Sequence, residues 1–411
     1  MPEFLELLPP GKALREFLGA LPDRKPLTEI IDTSVAVNRV LAEDVHSGEA
    51  LPPFDRSTVD GFAVRAMDTY GATETLPAYL HLVGEVPMGA KPEFDLARGE
   101  TGLIHTGGML PVGADAVLML ENSQLARPGE IEVLRAVAPN ENVLRTGEDV
   151  GTGDLIMECG TYLRPPEIGG LAALGITQIS VSVPPRVGIL SSGDEIVPPH
   201  VRPNYGQVRD VNAFSLSALV AQRGGEPVRQ GIIPDQAESL ETAMRQALAE
   251  CDLVVVTAGS SASTRDLTVQ TIQKMGQPGV LVHGVNVKPG KPTILAVCEG
   301  KAVIGLPGNP VSAFVIAGLF VLPVIDKLLG LKGGRIEASV FARLGINLAS
   351  QAGREDYIPV KLRQTEEGLV ADPIFYKSNL IFSLARADGL VHIPADANGL
   401  PVNASVEVKL I

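Results

Sequence analysis

The chain has 411 residues, 45% of them hydrophobic and 4% aromatic, no tryptophan, and a formal net charge of -14. That length exceeds one core, and roughly 150 residues per domain gives an expectation of two to four domains. With an acidic balance and no Lys/Arg run or basic-aromatic interleaving, neither nucleic acid nor an anionic membrane is an expected partner.

The opening MPEFLELLPPGKALREF carries acids in its apolar part and lacks a basic n-region and a small-residue cleavage site, so no signal peptide is expected. Cys159, Cys251 and Cys298 are spaced too widely for a disulfide framework or a zinc set, which fits a reducing, cytoplasmic setting. Leu14, Phe17 and Leu18 mark a short helix, and a second helical pattern runs from Thr33 through Val37, Val40 and Leu41.

From about residue 51 to 150, short apolar runs such as YLHLVGEV, TGLIHTG, DAVLML and IEVLRAV alternate with Gly/Pro turns, the signature of an all-β module. A helical tone returns at Pro166 to Leu174. The expectation is a small mixed N-terminal domain made of 1–48 and 147–182, interrupted by an inserted β module at 49–146.

Between 183 and 331, the runs RVGILSS, EPVRQGII, DLVVVTAG and AVIGL alternate with helical stretches at 212–223, 236–250 and 264–275. Such alternation predicts a mostly parallel sheet with right-handed crossovers. Asn212 reads as an N-cap and Gly224-Gly225 as a stop. Pro310 to Ile325 is uncharged but shorter than about 20 residues and holds Pro323, so it reads as a buried helix and not a membrane span. From 332 to 411, SVFARLG, DYIPVKL, LVADPIF and SVEVKLI predict a small C-terminal β domain. The fold class is thus multidomain α/β plus all-β.

In open parallel sheets, ligands bind beyond the carboxyl ends of the strands. Four loops there are unusual: SSGDE at 191–195, PD at 234–235, AGSSASTRD at 258–266 and LPGNP at 306–310. LPGNP alone reads as a tight strand-to-helix turn. Beside its neighbours it reads as a ligand loop, with Pro307 and Pro310 fixing φ, Gly308 letting the backbone approach, and Pro310 opening a helix whose N–H groups face the site.

VKPGKPT holds Lys288 and Lys291 close across a stiff Pro289-Gly290 turn, which suits an anion between them or two solvated surface charges. It is not a Walker A motif: Gly284 to Gly290 is one residue too long, and Pro292 stands where Ser/Thr is needed. Asp194, Glu195, Asp235 and Asp266 occupy the same loops. Each Asp alone reads as a helix cap; several carboxylates beside an anion site call for a hard cation such as Mg²⁺. Asp60 in PPFDRSTVDGFA, Thr106 in IHTGG, and Glu148 with Asp149 in RTGEDV are further polar turns. From the residues alone, the reading is a Mg²⁺-assisted enzyme for a small phosphorylated or oxyanionic substrate.

PPFDRSTVDGFAVRA, TGGMLPVGADAVLMLEN, NVLRTGEDV, GILSSGDEIV, VKPGKPT and GLPGNPVSAF, in this order and over essentially the whole chain, resemble the MoeA family of molybdopterin molybdenumtransferases, which includes the C-terminal domain of gephyrin. The resemblance implies a central molybdopterin-binding α/β domain, a C-terminal β-barrel-like domain and a cytosolic homodimer. It implies an enzyme of molybdenum cofactor biosynthesis that takes adenylylated molybdopterin and molybdate as substrates and releases AMP with Mg²⁺. The molybdopterin adenylyltransferase and molybdoenzyme apoproteins would be further partners.

By the same resemblance, Lys288, Lys291, Ser312 and Arg354 of GRED form the molybdate cradle, with Ser261, Pro307 and Pro310 beside it. Asp60, Glu195, Asp235 and Asp266 hold the divalent ion or face the pterin and pyrophosphate, and Asp60, Asp235, Asp266, Lys288 and Lys291 carry the catalysis. Thr106 and Asp149 match further substrate-binding positions. Two departures stand out: AGSS at Ala258 to Ser261, where the family often has GGVS, and Gly284, where a lysine is common. A tungstate-preferring insertase, an adenylyltransferase and a non-catalytic scaffold are the alternative readings.

Overall fold

A computed structural model describes residues 7–258, 262–375 and 377–411, without the side chains of 262–266. The architecture is the expected one, an α/β domain built on a mostly parallel sheet accompanied by β modules on either side of it in sequence.

The central sheet has six strands in the order Glu226–Ile233, Arg186–Ser192, Leu253–Ala258, Lys301–Pro307, Ile294–Cys298, Pro278–His283. The first four run parallel, Ile294–Cys298 runs antiparallel to them, and Pro278–His283 pairs antiparallel with Ile294–Cys298. LVVVTA at 253–258 is buried at every position, as a strand covered on both faces must be. Successive residues serve opposite faces: Val255 joins the core with Phe320 and Ile316, while Val254 and Val256 join the one with Leu240 and Met244.

The helices fall where the spacing put them, at Asn212–Arg223, Ala237–Glu250 and Ala262–Gln273. The cap of the first is a correction. Asn212 is its first helical residue, and Asp210 Oδ1 accepts the N–H of Ala213 at 3.0 Å. The helix ends at Gly224 in the left-handed conformation, φ 95°.

The segment Pro310–Leu328 is one helical run with a π turn at Ala317–Val321 just before Pro323, whose missing N–H interrupts the hydrogen-bond ladder. It is long and apolar enough to cross a bilayer, but 56% of it is buried inside the protein, where Phe320, Ile316 and Ile325 are fully enclosed. It is a core helix.

The N-terminal helix, Pro10–Ala20, buries Ala13 and Phe17 in the same core, against the central sheet. The second helical pattern is overturned: only Thr33–Val35 forms a 3-10 turn, and Val40 and Leu41 make bridges to Tyr162 and Val181. Asn38 at φ 67° breaks the helical path, and β-branched Val37 and Val40 favour extended backbone. Ala36 and Leu41 share a core with Leu163, Leu171, Ile179 and Val181, so chain on both sides of the β module packs together.

The β module is a six-stranded sheet in the order Ala116–Met119, Gly61–Val64, Glu100–Ile104, Ala78–Glu85, Glu130–Val133, Ser123–Arg127. In the C-terminal domain, Ser339–Leu344, Glu355–Thr365, Gly368–Pro373, Gly389–Ile393 and Ser405–Leu410 close on themselves as a five-stranded barrel. Its core is Leu344, Val360, Ala371, Val391, Ile393 and Val408. Closure leaves no free sheet edge, which a small β domain otherwise has to protect. The barrel is tied to the central domain by a short parallel ladder, Val287 with Glu355 and Lys288 with Asp356. All three cysteines are free thiols, and burial pushes Cys298 up to about 11.

Candidate anion-binding site

The KPGKP turn is shaped by its glycine. Gly290 sits at φ 118°, and a Cβ there would lie 2.3 Å from Ile316 Cγ1, so only glycine lets the turn press against the core helix. Thr293 Oγ1 donates to the Gly290 carbonyl at 2.6 Å, and the Val285 N–H donates to the Lys291 carbonyl at 2.9 Å. The folded-back turn leaves Lys288 and Lys291 exposed, and neither makes an ion pair among the described residues.

Both lysines line a cavity of about 1090 Å³ between the sheet's carboxyl edge and the barrel. Pro307 and Ser312 come from the LPGNP loop and its helix, and Arg354 from the barrel. These five expected residues therefore meet. Pro310 does not line the cavity; it stands behind as the first residue of the helix.

Lys377 and Ser378 also line the cavity, and the sequence reading missed them. Ser378 Oγ accepts from Asn309 Nδ2 at 3.0 Å, and its carbonyl accepts the N–H of Val311 at 3.1 Å. That second bond corrects the expectation of a free helix terminus: the Val311 N–H is satisfied by the barrel side. The signal for Lys377 was an unpaired lysine beside a serine just after a strand. Nothing local tied it to a loop seventy residues upstream.

Among the described residues, Lys288, Lys291, Arg354 and Lys377 line this cavity, and no Asp or Glu does. In a chain of net charge -14 such a concentration is a strong local field for an anion. The volume far exceeds one tetrahedral oxyanion and matches the upper range for a drug-sized organic ligand, roughly 300–1,000 Å³.

The acids lie elsewhere on the same edge. Ser192 Oγ donates to Asp235 Oδ1 at 2.6 Å, and the Asp235 N–H donates to Asp194 Oδ1 at 3.2 Å. Glu195 follows on the same loop, and none of the three lines the cavity. Two strand spacings, about 10 Å, separate the strand ending at Ser192 from the one ending at Pro307. The edge is therefore acidic at one end and cationic at the other.

Asp60 and Thr106, distant in sequence, are partners within the β module. Asp60 Oδ1 accepts the Thr106 N–H at 2.7 Å and its hydroxyl at 2.9 Å, which holds the carboxyl below its usual range, the N–H contributing most. Asp149 is exposed and donates its N–H to the Leu51 carbonyl at 3.0 Å. Among the described residues no three of His, Cys, Asp and Glu gather as a cation site, so Asp60, Glu195 and Asp235 do not meet within one chain. Ser261 and the side chain of Asp266 lie outside the described residues. Gly284, at φ 106°, occupies backbone that disfavours the lysine the family often has there.

A pH effect follows from the Asp60 pair. A depressed carboxyl contributes stability at pH values above the ordinary Asp pKa of about 3.9, and that contribution is lost as pH falls through the folded value. Thr106→Val keeps the N–H and removes the hydroxyl. It should move the Asp60 pKa part of the way back up, read by ¹³C NMR titration below pH ~5; an unchanged value would show that the hydroxyl does nothing.

Three family models match: MoeA N-terminal region (domain I and II) over residues 8–175, a probable molybdopterin binding domain over 188–327, and MoeA C-terminal region (domain IV) over 342–411. A putative molybdopterin biosynthesis protein of Methanocaldococcus jannaschii is 34% identical, covering 97% of this chain and 96% of its own length. A molybdopterin molybdenumtransferase of Haemophilus influenzae is 36% identical over 80% of each chain. The crystal structure of the molybdopterin biosynthesis moeA protein from Pyrococcus horikoshii OT3 superposes with a TM-score of 0.85 at 34% identity, covering 99% of this chain and 100% of that one. With nearly all of its length matched in order, and with a solved relative superposing over 99% of the chain, the chain belongs to the MoeA family of molybdopterin molybdenumtransferases.

Proposed function

We propose that this chain inserts molybdate into adenylylated molybdopterin and releases AMP. The observation that carries the reading is the cavity at the carboxyl edge of the sheet, which among the described residues is lined by Lys288, Lys291, Arg354 and Lys377 and by no carboxylate. Its cations would hold a tetrahedral dianion by charge-assisted hydrogen bonds, and its volume leaves space for an organic substrate. They would also offset the charge that develops as the adenylyl phosphoanhydride is cleaved. Family membership, and relatives named molybdopterin molybdenumtransferase, support the same reaction.

Asp194 and Asp235 offer the hard oxygen donors that suit Mg²⁺, an ion that takes one or two carboxylates and completes its shell with water and substrate phosphates. When bound there it would supply charge neutralisation to the adenylyl phosphate. The two-strand offset between acids and lysines suits a substrate long enough to reach from one to the other. The Asp60–Thr106 pair is exposed and absent from the cavity lining of its own chain, which supports a homodimer in which the β module of one protomer serves its partner's cleft. Sedimentation velocity should then give twice 43.2 kDa, and a monomer would remove this part of the reading. Three free thiols support a cytoplasmic setting.

The test is AMP release from adenylylated molybdopterin with Mg²⁺, run with molybdate, with tungstate and with neither. Oxyanion-dependent release supports the insertase, and the ratio of the two oxyanions gives its metal preference. ATP consumption in the same mixture would point to an adenylyltransferase instead. Nucleotide binding without release in any arm would leave a scaffold.

A further inference from the structure

We infer that Asp356 is a positioning residue for Arg354: it sets the orientation of the guanidinium at the cavity and cancels its charge, so that the oxyanion meets a directed pair of N–H donors instead of a free cation. The inference rests on the reading of the cavity as the molybdate site.

Asp356 is an unusual occupant of its place. Its side chain is 1% exposed, against 29% for Arg354. Its backbone is fixed from both sides, paired with Lys288 on one neighbouring strand and Ile393 on the other. A carboxylate taken out of water at such a place is costly, and an apolar side chain would fill it more cheaply unless the charge is used.

What it does is visible in the bonds. Asp356 Oδ1 accepts from Arg354 Nε at 2.8 Å, and Oδ2 accepts from Nη2 at 3.3 Å, a side-on fork that fixes the plane of the guanidinium. Arg354 Nη1 also donates to Gln351 Oε1 at 3.3 Å. A guanidinium has five N–H donors. Two go to Asp356 and one to Gln351, which leaves two for a ligand in the cavity that Arg354 lines. Without the carboxylate, a long and rotamer-rich side chain at the cavity wall would have to be ordered by the ligand itself.

The pair also sets the balance of charge. With Arg354 neutralised, the net positive charge of the cavity comes, among the described residues, from Lys288, Lys291 and Lys377. Arg354 then contributes direction, which distinguishes a tetrahedral oxyanion by where its oxygens lie, while the lysines contribute attraction.

The test is a double-variant cycle read by calorimetric titration of molybdate and by the molybdate dependence of AMP release. Asp356→Leu should raise the molybdate Kd and KM about tenfold while kcat at saturating molybdate changes less than twofold. Arg354→Gln should raise Kd at least as much. The double variant should be no worse than Arg354→Gln alone, because the first residue acts through the second. Should Asp356→Leu fail to fold, Asp356→Asn serves, with a rise of about threefold and the same non-additivity. Losses that multiply, or Asp356 variants that bind molybdate as the wild type does, overturn the positioning role and leave the insertase reading standing. A wild type that titrates no molybdate overturns both.

Discussion

Lys288→Ala should lower oxyanion-dependent AMP release by about 10²- to 10³-fold, the range found when one donor to a developing oxyanion is removed from a water-poor site. Among the described residues the lysine is one of four cations lining the cavity and has no ion pair, so its charge is available to the ligand. The loss should appear in molybdate affinity as well as in rate, because the same ammonium serves the bound anion and the transition state. Steady-state kinetics at several molybdate concentrations separates the two. Raising the salt concentration should weaken molybdate binding in the wild type and have less effect in the variant, since the screening length shrinks from about 10 Å at 0.1 M to about 3 Å at 1 M. A variant with wild-type kinetics would leave Lys288 a solvated surface charge and would remove the main support for the proposed function.

Gly290→Ala acts on the same site through the backbone. The new methyl group would lie 2.3 Å from Ile316 Cγ1 and 2.4 Å from its Cδ1, and φ 118° is a conformation that only glycine adopts readily. Strained backbone of this kind costs about 1–3 kcal/mol, and overpacking a core costs about 1–3 kcal/mol more. Ile316 is fully buried in the central core and has nowhere to retreat. The variant should therefore show a lower first unfolding transition in denaturant and, where still folded, weak molybdate binding, since the turn that presents both lysines is displaced. Normal stability with normal binding would mean that the turn can re-form around the methyl group.

Four strands of the sheet domain were legible because the pattern is redundant: runs such as Leu253–Ala258 and Lys301–Pro307 are mostly apolar, Ala237–Glu250 has a periodic face, and the turns are marked by Gly, Pro or Asp, whereas Pro278–His283 and Ile294–Cys298 were passed over. The stretch at 33–41 misled for a physical reason. Val37, Val40 and Leu41 sit at helical spacing, yet Asn38 takes a left-handed φ, and the flanking residues find strand partners about 120 residues later. Long-range pairing of that kind leaves no local mark. The strand Gly389–Ile393 was passed over for a similar reason, being five residues long and defined mainly by its closure of the barrel.

Of the cavity, the residues in Gly/Pro-marked turns were visible: Lys288, Lys291 and Pro307, with Ser312 and Arg354 added by family resemblance. Lys377 and Ser378 were not, because their role depends on the barrel packing against the LPGNP loop. Asp356 was hidden by its company, an acid in a polar tetrapeptide, GRED, that gives no hint of near-complete burial. The acids were legible as a set but not as a geometry: the sequence put Asp194, Glu195 and Asp235 at one sheet edge and Asp60 in the β module, but not the partners they take there, Ser192 for Asp235 and Thr106 for Asp60.

The two-residue ladder between Val287–Lys288 and Glu355–Asp356 bears on how the cleft opens. Many enzymes admit a large substrate by swinging one domain away from another about a flexible joint. Here the joint would have to form where one lysine of the turn is itself hydrogen-bonded into the barrel, and any swing would strip backbone bonds from a sheet that water would then have to satisfy. The two walls are thus riveted at the floor. A ligand would then have to enter and leave without parting these two walls, while the ladder keeps the backbone of Lys288 in register with that of Asp356.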